Sequence, residues 1–372
     1  MSLSYNGTNI SKIVYNGTNL SKVIFNGTTV WTSGPTLDLK GYANTPVGYG
    51  FYDIQAFNTS GKTYLALGMD AGSSYHQLYL FDTDTMAYTP IAQTGYDTMY
   101  NTAGVSIGND IYIYGSSHTS DKYLFKMSGS NITGGEISAT SNYQVYTRFI
   151  KANNGKVYFY MGSDQGSGIY KFDGSNFTAI FGSLDYAPSS VSKPSDIILG
   201  RDGNIYIVSG GKSSYKRIRV YKLDTSTDKI TQVAEMSTSY PAEEVCICQG
   251  PDNTLYVSLL LDTSSDKYKI YKVTGSTLTK VLDLTQTYRY THSFRLHNGK
   301  MYLMLYPNSS KSNPINFYEF TGTALNAITV NSSTTFYAKK VELFTNAQGK
   351  LLCMCAGASG DDPIIKYELN EG

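Results

Sequence analysis

The sequence predicts an all-β fold, a seven-bladed β-propeller of four-stranded blades preceded by a small N-terminal β-hairpin repeat module. Three observations predict it: one stretch contains four successive strand patterns, the same unit recurs seven times, and the last unit lacks its fourth strand. The expected division is 1–33 for the hairpin module and 34–372 for the propeller.

The clearest unit runs from Pro194 to Met236, about 43 residues. Its four short runs are rich in Ile, Val and Tyr, and turn-forming dipeptides and loops separate them. These predicted strands are Asp196–Gly200, Asn204–Ser209, Arg217–Leu223 and Ile230–Glu235. A four-stranded meander of this size cannot bury both of its faces alone, so we expect it to stack against similar units.

The same unit recurs along the chain. An aligned aromatic after the first tight turn recurs at spacings of 48, 46, 48, 50, 46 and 50 residues, at Tyr64, Tyr112, Tyr158, Tyr206, Tyr256, Tyr302 and, without the ring, Leu352. A second landmark keeps register with it at Tyr79, Tyr123, Tyr170, Tyr221, Tyr271, Tyr318 and Tyr367. Such a repeat indicates a β-propeller, because radial closure removes most exposed sheet edges.

The last unit predicts how the ring closes. It has strand patterns at 339–346, 350–356 and 364–369, and no fourth strand follows. Thr36–Gly41 (TLDLKG) has the pattern of fourth strands such as Leu278–Leu284 (LTKVLDL). We therefore expect it to pair with Ile364–Leu369 and complete the seventh blade. Repeat length and blade anatomy resemble kelch-type propellers, although their double-Gly and Trp pattern is missing. That resemblance implies architecture alone.

Residues 4–32 form a separate ten-residue repeat, in which Tyr5, Tyr15 and Phe25 each precede Asn-Gly-Thr. Asn-Gly between alternating residues is the strongest short-range signal for a type I′ hairpin. Opposite turns at Ser11-Lys12 and Ser21-Lys22 would complete a small meander. So small a meander needs a partner surface, which the propeller, a second copy or another protein would supply.

These repeats resemble Tyr-Asn-Gly-Thr modules of tail- and baseplate-associated proteins in phages and prophages of Gram-positive bacteria. The resemblance covers about 28 residues, and the array ends at Val30-Trp31 as such modules do. It implies that other tail proteins bind through residues 4–32. It also implies a virion-associated or extracellular place of action.

Composition argues against several classes of protein. A net charge of +1 with 16% charged residues argues against an electrostatic nucleic-acid binder. No apolar run is long enough for a membrane span, and no leader typical of a signal peptide is visible. Thirty-four tyrosines against one tryptophan fit a β-rich particle or cell-surface protein better than a metabolic enzyme.

The four cysteines lie in two pairs, Cys246 with Cys248 and Cys353 with Cys355. Residues two apart on a strand face the same side, so each pair has the spacing to chelate a soft metal. We interpret them instead as small buried hydrophobes at seams between blades. The fifth and seventh units are not adjacent, so a four-cysteine zinc site is not expected, and a disulfide framework is equally unsupported. No cofactor or metal is expected.

Candidate ligand-binding residues cluster where the fourth-to-first connections enter the blades. Counting back twelve residues from the aligned aromatic reaches four tyrosines at one mouth of the predicted channel: Tyr52, Tyr100, Tyr146 and Tyr290. Charged residues fall beside them: Arg148, Asp196, His292, Asp53, Glu244, Arg295 and Lys340. Tyrosines with convergent charges are typical of a polar-ligand pocket, and tyrosine stacks on sugars. The alternative is that these tyrosines wedge between blades.

No complete catalytic constellation is visible. Asp196 with His292 is a candidate acid–base pair and Arg148 a candidate carboxylate ligand, but the pair falls on the fourth and sixth blades. A sialidase-type site needs a tryptophan in several blades, and Trp31 is alone. None of the four histidines has metal-ligand spacing.

We therefore interpret the chain as non-enzymatic, a phage or prophage tail-associated adhesin or structural protein that binds a cell-surface glycan or protein. One alternative is a carbohydrate-active enzyme, a lyase or hydrolase with its site at the channel mouth. Another is a pure interaction scaffold. A histidine and a carboxylate, or two carboxylates, within reach at the channel mouth would favour the enzyme.

Overall fold

The computed structural model describes fifteen segments after the hairpin repeats: 34–46, 50–69, 78–92, 99–117, 121–137, 144–163, 167–184, 195–210, 216–240, 242–261, 267–285, 290–307, 315–331, 338–357 and 363–371. Six short strands before residue 33 are also described. All regular structure in these residues is β-strand, so the all-β prediction is confirmed. Within the same ranges, no helix has the length and apolar character needed to cross a membrane.

The N-terminal repeats form three separate two-stranded sheets. Each antiparallel pair joins the residues that flank an Asn-Gly dipeptide, so Tyr5 pairs with Thr8 and Tyr15 with Thr18. The strands are β1 (Ser4–Tyr5), β2 (Thr8–Asn9), β3 (Ile13–Tyr15), β4 (Thr18–Leu20), β5 (Lys22–Phe25) and β6 (Thr28–Thr32). The hairpins are thus as predicted, but no ladder among the described residues joins them into one meander.

Five four-stranded antiparallel sheets follow, each with its strands in chain order. The first contains β8 (Phe51–Asn58), β9 (Thr63–Met69), β10 (Leu78–Asp82) and β11 (Ala87–Ala92). The second contains β12 (Met99–Ile107), β13 (Asp110–Ser117), β14 (Lys122–Ser128) and β15 (Asn131–Glu136). The third contains β16 (Gln144–Lys151), β17 (Val157–Ser163), β18 (Ser167–Phe172) and β19 (Phe177–Leu184). The fourth and fifth contain β20 (Ser195–Leu199), β21 (Ile205–Gly210), β22 (Arg217–Asp224), β23 (Lys229–Ser237), and β24 (Ala242–Gln249), β25 (Leu255–Leu261), β26 (Lys267–Thr274), β27 (Thr277–Thr285).

The predicted strand bounds of the clearest unit agree with β20–β23 to within two residues. The tight first-to-second turns contain a residue with positive φ, such as Gly203 at 79°. Asn253 adopts the same region at 66°, which explains why asparagine replaces glycine there.

The remaining strands form one eight-stranded sheet. Its order is β28 (Tyr290–His297), β29 (Lys300–Pro307), β30 (Asn316–Phe320), β31 (Leu325–Asn331), β7 (Thr36–Ala43), β34 (Ile364–Asn370), β33 (Leu351–Gly357) and β32 (Ala338–Thr345). The antiparallel pairing of β7 with β34 is the predicted closure. The parallel pairing of β7 with β31, where Thr329–Asn331 meet Thr36–Asp38, was not predicted.

We call the first strand of each sheet its inner strand: β8, β12, β16, β20, β24, β28 and β32. Each inner strand contacts the next in chain order, and β32 contacts β8, so the cycle of contacts is closed. The sheets are therefore arranged as the blades of a propeller-like fold are.

The apolar core lies in the seams between neighbouring sheets rather than in one centre. One seam packs Val208 and Val220 against Val245 and Val257. The aligned tyrosines fill the same seams, since Tyr158 is fully buried and its hydroxyl donates to Asp228 Oδ1 of the next sheet at 2.7 Å. The repeat landmark is thus a packing position between sheets.

The closure strand supplies a stability test. Leu37 of β7 is fully buried against Leu343 and Leu369, whereas Tyr42 of the same strand is 64% exposed. We expect Leu37→Ala to lower the free energy of unfolding by about 2–5 kcal/mol, because it removes buried methyl groups and leaves a cavity. Tyr42→Ala, the matched control, should change it by less than about 0.5 kcal/mol. Denaturant unfolding measures both, and equal effects would contradict the role of β7 as an integral strand.

Candidate functional site

Each inner strand places one residue at the same level of the central channel. In the ladder between the first and second strands, this residue lies opposite the residue two positions after the aligned aromatic (Leu352 in the last unit). Arg148, for example, lies opposite Tyr160, two residues after Tyr158. The residues at this level are Gln55, Ala103, Arg148, Asp196, Cys246, Ser293 and Glu342. All of them are buried, and most are polar, so they need hydrogen-bond partners.

Polar side chains satisfy the inner edges of the sheets. An inner strand has a sheet neighbour on one side only, so its other edge presents backbone N–H groups to the channel. Among the described residues the acceptor is in five cases a side chain of the preceding inner strand: Asp53 for Thr102 N (3.1 Å), Gln55 for Gly104 N (3.2 Å), Asp196 for Ile247 N (3.0 Å), Glu244 for His292 N (3.1 Å) and Ser293 Oγ for Leu343 N (3.2 Å). The channel is polar because its walls are sheet edges.

Gln55 spans two neighbouring sheets. Its Oε1 accepts from the backbone N–H groups of Gly104 and Phe149, both at 3.2 Å, and its Nε2 donates to the Phe149 carbonyl at 2.8 Å. Gly104 is required for close packing, since a Cβ there would lie 2.3 Å from the Phe57 ring.

Arg148 crosses the channel to two other sheets. Its Nη1 lies 3.3 Å from Asp53 Oδ2, and its Nη2 lies 3.6 Å from Glu342 Oε2. The guanidinium also lies over the Tyr146 ring at 4.3 Å. Burial acts to lower the pKa of Arg148, but Tyr146, Asp53 and Glu342 outweigh burial and raise it. The guanidinium therefore stays charged and ties three inner strands together.

A second ion pair joins Arg295 to Asp196. Arg295 Nη1 and Nη2 donate to the two carboxylate oxygens at 2.8 and 3.1 Å. Asp196 also accepts from the Tyr146 hydroxyl at 3.2 Å and from the Ile247 backbone, so both of its oxygens are occupied. This bidentate, fully hydrogen-bonded geometry is typical of a structural ion pair.

His292 lies in a separate buried cluster between Glu244 and Ser258. Its Nδ1 is 3.0 Å from Glu244 Oε2 and its Nε2 is 3.1 Å from Ser258 Oγ, and the three residues are at most 2% exposed. Burial acts to lower its pKa, but Cys246 and Glu244 outweigh burial and raise the pKa of His292 to about 10. The ring is then an imidazolium that donates from both nitrogens at neutral pH. A charged ring donates to Ser258 Oγ and does not accept its proton.

A cavity of about 520 Å³ occupies the channel beside Arg148. Its lining comes from six inner strands, all except β12, and from Arg201 in a first-to-second turn. Buried polar side chains form its floor (Gln55, Arg148, Glu342), half-buried aliphatic residues form its wall (Ile198, Leu199, Leu296), and exposed residues form its rim (Arg201, Thr345). Donors, acceptors and apolar surface therefore meet in one partly open cavity.

The predicted site residues fall in different places. Arg148 lines the cavity, Tyr146 and Asp196 are buried in the network with it, and His292 belongs to the separate Glu244 cluster. Tyr52 is half-buried on β8. Tyr100 and Tyr290 are on β12 and β28, but their side chains lie outside the described residues. The suggested Asp196–His292 pair is not formed, since Asp196 binds Arg295 and His292 binds Glu244.

The cavity is near the tight-turn end of the inner strands, whereas the tyrosine-rich connections enter at the other end. Sequence reasoning therefore missed most of its residues, among them Gln55, Arg201, Gln249 and Glu342. The sequence contained a signal for two of these residues. Gln55 and Glu342 follow the candidate residues Asp53 and Lys340 by two positions, so each shares a strand face with a predicted site residue.

The four cysteines are free and buried in seams, in agreement with their interpretation as small hydrophobes. Cys246 and Cys248 pack with Phe294 and Leu303, and Cys353 packs with Met304. In the described part of the chain, no three His, Cys, Asp or Glu side chains are grouped to hold a metal ion.

Stability should depend on pH through His292. Its folded pKa of about 10 lies above the ordinary value of about 6.5, so its contribution is complete below about pH 6.5 and lost as the pH rises toward 10. The penalty of His292→Gln in unfolding free energy should be largest near pH ~6 and shrink toward pH ~10.

His297→Gln is the matched control for that series. Burial lowers the pKa of His297, so its contribution is complete above about pH 6.5 and lost as the pH falls, which reverses the trend. Urea unfolding over this range measures both penalties. A His292→Gln penalty that is independent of pH would contradict the charged state of His292.

The Arg295–Asp196 pair supplies a second test. Arg295→Met leaves the Asp196 carboxylate buried without its counter-charge, and we expect a loss of about 3–5 kcal/mol in unfolding free energy. Adding Asp196→Asn should recover part of it. Lys280→Met, which removes an exposed pair with Asp283, should cost less than about 1 kcal/mol. Chemical unfolding of the unaltered chain, Arg295→Met, Arg295→Met/Asp196→Asn and Lys280→Met measures these losses. Equal losses for Arg295→Met and Lys280→Met would contradict a buried structural pair.

No protein-family model matches the chain, and no curated protein matches it. Among solved structures, the chain is similar to one described as "Structure of SapL1 lectin in complex with alpha methyl fucoside". The two share 12% identity with a TM-score of 0.46, over 77% of this chain and 98% of that chain. A likeness at this level carries no argument about what the present chain binds.

Proposed function

We propose that the chain is a seven-bladed β-propeller that binds a saccharide without catalysing a reaction on it. The observation that carries this proposal is the channel cavity, in which a floor of buried polar groups lies beside an aliphatic wall. A sugar has the matching surface, since its hydroxyl groups donate and accept hydrogen bonds while its C–H faces pack on apolar groups.

The blade number is supported by the cycle of inner strands. Seven inner strands contact one another in order and return to the first. The eight-stranded sheet then corresponds to two blades, β28–β31 and β32–β34 with β7, whose outer strands pair in parallel.

The dimensions and chemistry of the cavity suit a small polar ligand. Its volume of about 520 Å³ is in the range of ~300–1,000 Å³ that small-molecule sites occupy. The guanidinium of Arg148 offers donors and the carboxylate of Glu342 offers acceptors. Ile198 and Leu296 supply apolar surface.

The charged groups around the cavity favour binding over catalysis. Asp53 accepts hydrogen bonds from Arg148 and Asp196 accepts them from Arg295, while Glu342 faces the Arg148 guanidinium at 3.6 Å. The histidine and carboxylate that do meet, His292 and Glu244, are buried away from the cavity and form a charged pair. A hydrolase or lyase needs an acid and a base that face the reacting bond.

The biological setting of the proposal rests on the N-terminal repeats. Their likeness to tail-associated modules supports attachment of residues 4–32 to other tail proteins, with the propeller acting as an adhesin at a cell surface. Several copies on one particle would strengthen binding that is weak at each site. The connection-face residues Tyr52, Tyr100 and Tyr290 are the alternative location for the ligand, and the Tyr100→Ala/Tyr290→Ala variant tests it.

A glycan array tests the function with three proteins. Leu199→Trp places an indole in the cavity, whereas Tyr100→Ala/Tyr290→Ala alters the opposite end of the channel. We expect the intact chain and the tyrosine variant to bind the same glycans, and Leu199→Trp to lose at least about tenfold in affinity because the ligand's space is filled. Circular dichroism and melting confirm that the variants are folded.

Each other result of this experiment would change the proposal. Binding lost only in the tyrosine variant would move the site to the connection face. Absence of glycan binding by the intact chain would overturn the saccharide assignment. Release of product from added polysaccharides would identify an enzyme.

A further inference from the structure

Glu342 is a buried carboxylate whose hydrogen-bonding capacity the fold does not fill. The residue is 6% exposed and lines the cavity. Within the described residues its one close polar partner is Arg148 Nη2 at 3.6 Å, too long for a hydrogen bond. A carboxylate has about four acceptor positions, so Glu342 keeps acceptor capacity on the side that faces the cavity. Asp196, at the same level of the channel, has both oxygens hydrogen-bonded.

Arg148 is unsatisfied on the side that faces Glu342. Its Nη1 makes all of its hydrogen bonds, to Asp53 and to the Thr147 carbonyl. In the part of the chain that the structure describes, Nη2 donates no hydrogen bond and Nε has no partner. The floor of the cavity thus holds an unfilled donor beside an unfilled acceptor.

Two adjacent hydroxyl groups would satisfy both side chains at once. One hydroxyl donates to the Glu342 carboxylate while its neighbour accepts from Arg148 Nη2, and both hydrogen bonds are of the strong, charge-assisted kind. A ligand with a single hydroxyl, or with hydroxyls on non-adjacent carbons, meets only one of the two groups.

The pair also specifies the charge of the ligand. Arg148 and Glu342 carry opposite charges 3.6 Å apart, so a positive or negative ligand group placed between them is attracted by one and repelled by the other. A charged group would also lose its hydration on entering a buried floor. Neutral hydroxyls avoid both costs.

We propose that Arg148 and Glu342 form a clamp for the vicinal diol of a neutral saccharide, and that this clamp selects the ligand. The inference rests on the proposed function, because it assigns the recognition element of the same cavity. The charged rim residue Arg201 lies outside the clamp and contacts the exposed part of a larger glycan.

The first test uses the unaltered protein. The methyl glycosides of glucose, galactose and mannose are titrated by calorimetry, and the tightest binder is compared with each of its monodeoxy forms. Removing either hydroxyl of one adjacent pair should weaken binding about tenfold, and removing any other hydroxyl should change it less than about threefold. The matching hexuronic acid and aminohexose should bind no more tightly than the neutral sugar.

The second test changes the clamp. Glu342→Gln keeps the shape of the side chain and removes the charge, so affinity for the best sugar should fall about tenfold and the penalty of the two critical deoxy positions should shrink. Glu319→Gln is the matched control, because Glu319 pairs with Lys300 far from the cavity and should bind like the unaltered chain.

The outcomes separate the two proposals. No binding of any hexoside overturns the proposed function and the clamp with it. Binding in which all monodeoxy forms are equivalent, or in which a charged sugar is preferred more than about fivefold, overturns the clamp and leaves the saccharide function standing. Should Glu342→Gln not fold, the deoxy series decides alone.

Discussion

The structure depends on how the unpaired inner edges of its sheets are satisfied. A sheet that ends at a central channel exposes backbone N–H groups there, and the neighbouring sheets supply acceptors such as Asp53, Asp196 and Glu244. Each acceptor carries a charge into a buried place, and the arginines that neutralise two of them come from strands across the channel. The unpaired strand edges therefore require buried acceptors, and the charged acceptors require arginines. These contacts together hold the inner strands in place.

The same network contains fully hydrogen-bonded polar groups and incompletely hydrogen-bonded ones. Asp196 is surrounded by donors from Arg295, Tyr146 and Ile247, so nothing further is needed at its carboxylate. Arg148 and Glu342 are also buried but incompletely hydrogen-bonded, and a cavity of about 520 Å³ lies beside them. In the proposed function, the incompletely hydrogen-bonded side of the network is the side that the ligand contacts.

Local sequence patterns predicted most of the fold and little of the site. Strand alternation, Asn-Gly turns and the tyrosine landmarks depend on neighbouring residues, so the sequence shows their periods directly. The pairing of β7 with β34 followed from the missing fourth strand of the last unit. The Arg148–Asp53 and Arg295–Asp196 pairs join residues 95 and 99 positions apart. A repeat alignment predicts how deep in the channel each of these residues lies. Which residue it pairs with on another sheet depends on side-chain length and on which sheets face each other.

The position of β7 has a consequence for how the chain matures on the ribosome. The strand is synthesised before any of the four-stranded sheets, yet its antiparallel partner is Ile364–Asn370, some 320 residues later. At translation rates of about 5–20 residues per second, β7 waits roughly 15 s to a minute for that partner. Throughout that interval its backbone edge is unpaired, and an unpaired edge of this kind also accepts the β34 segment of another nascent chain. Pairing β7 with a strand some 320 residues later therefore makes correct assembly a competition between β34 of the same chain and β34 of neighbouring chains on the same message.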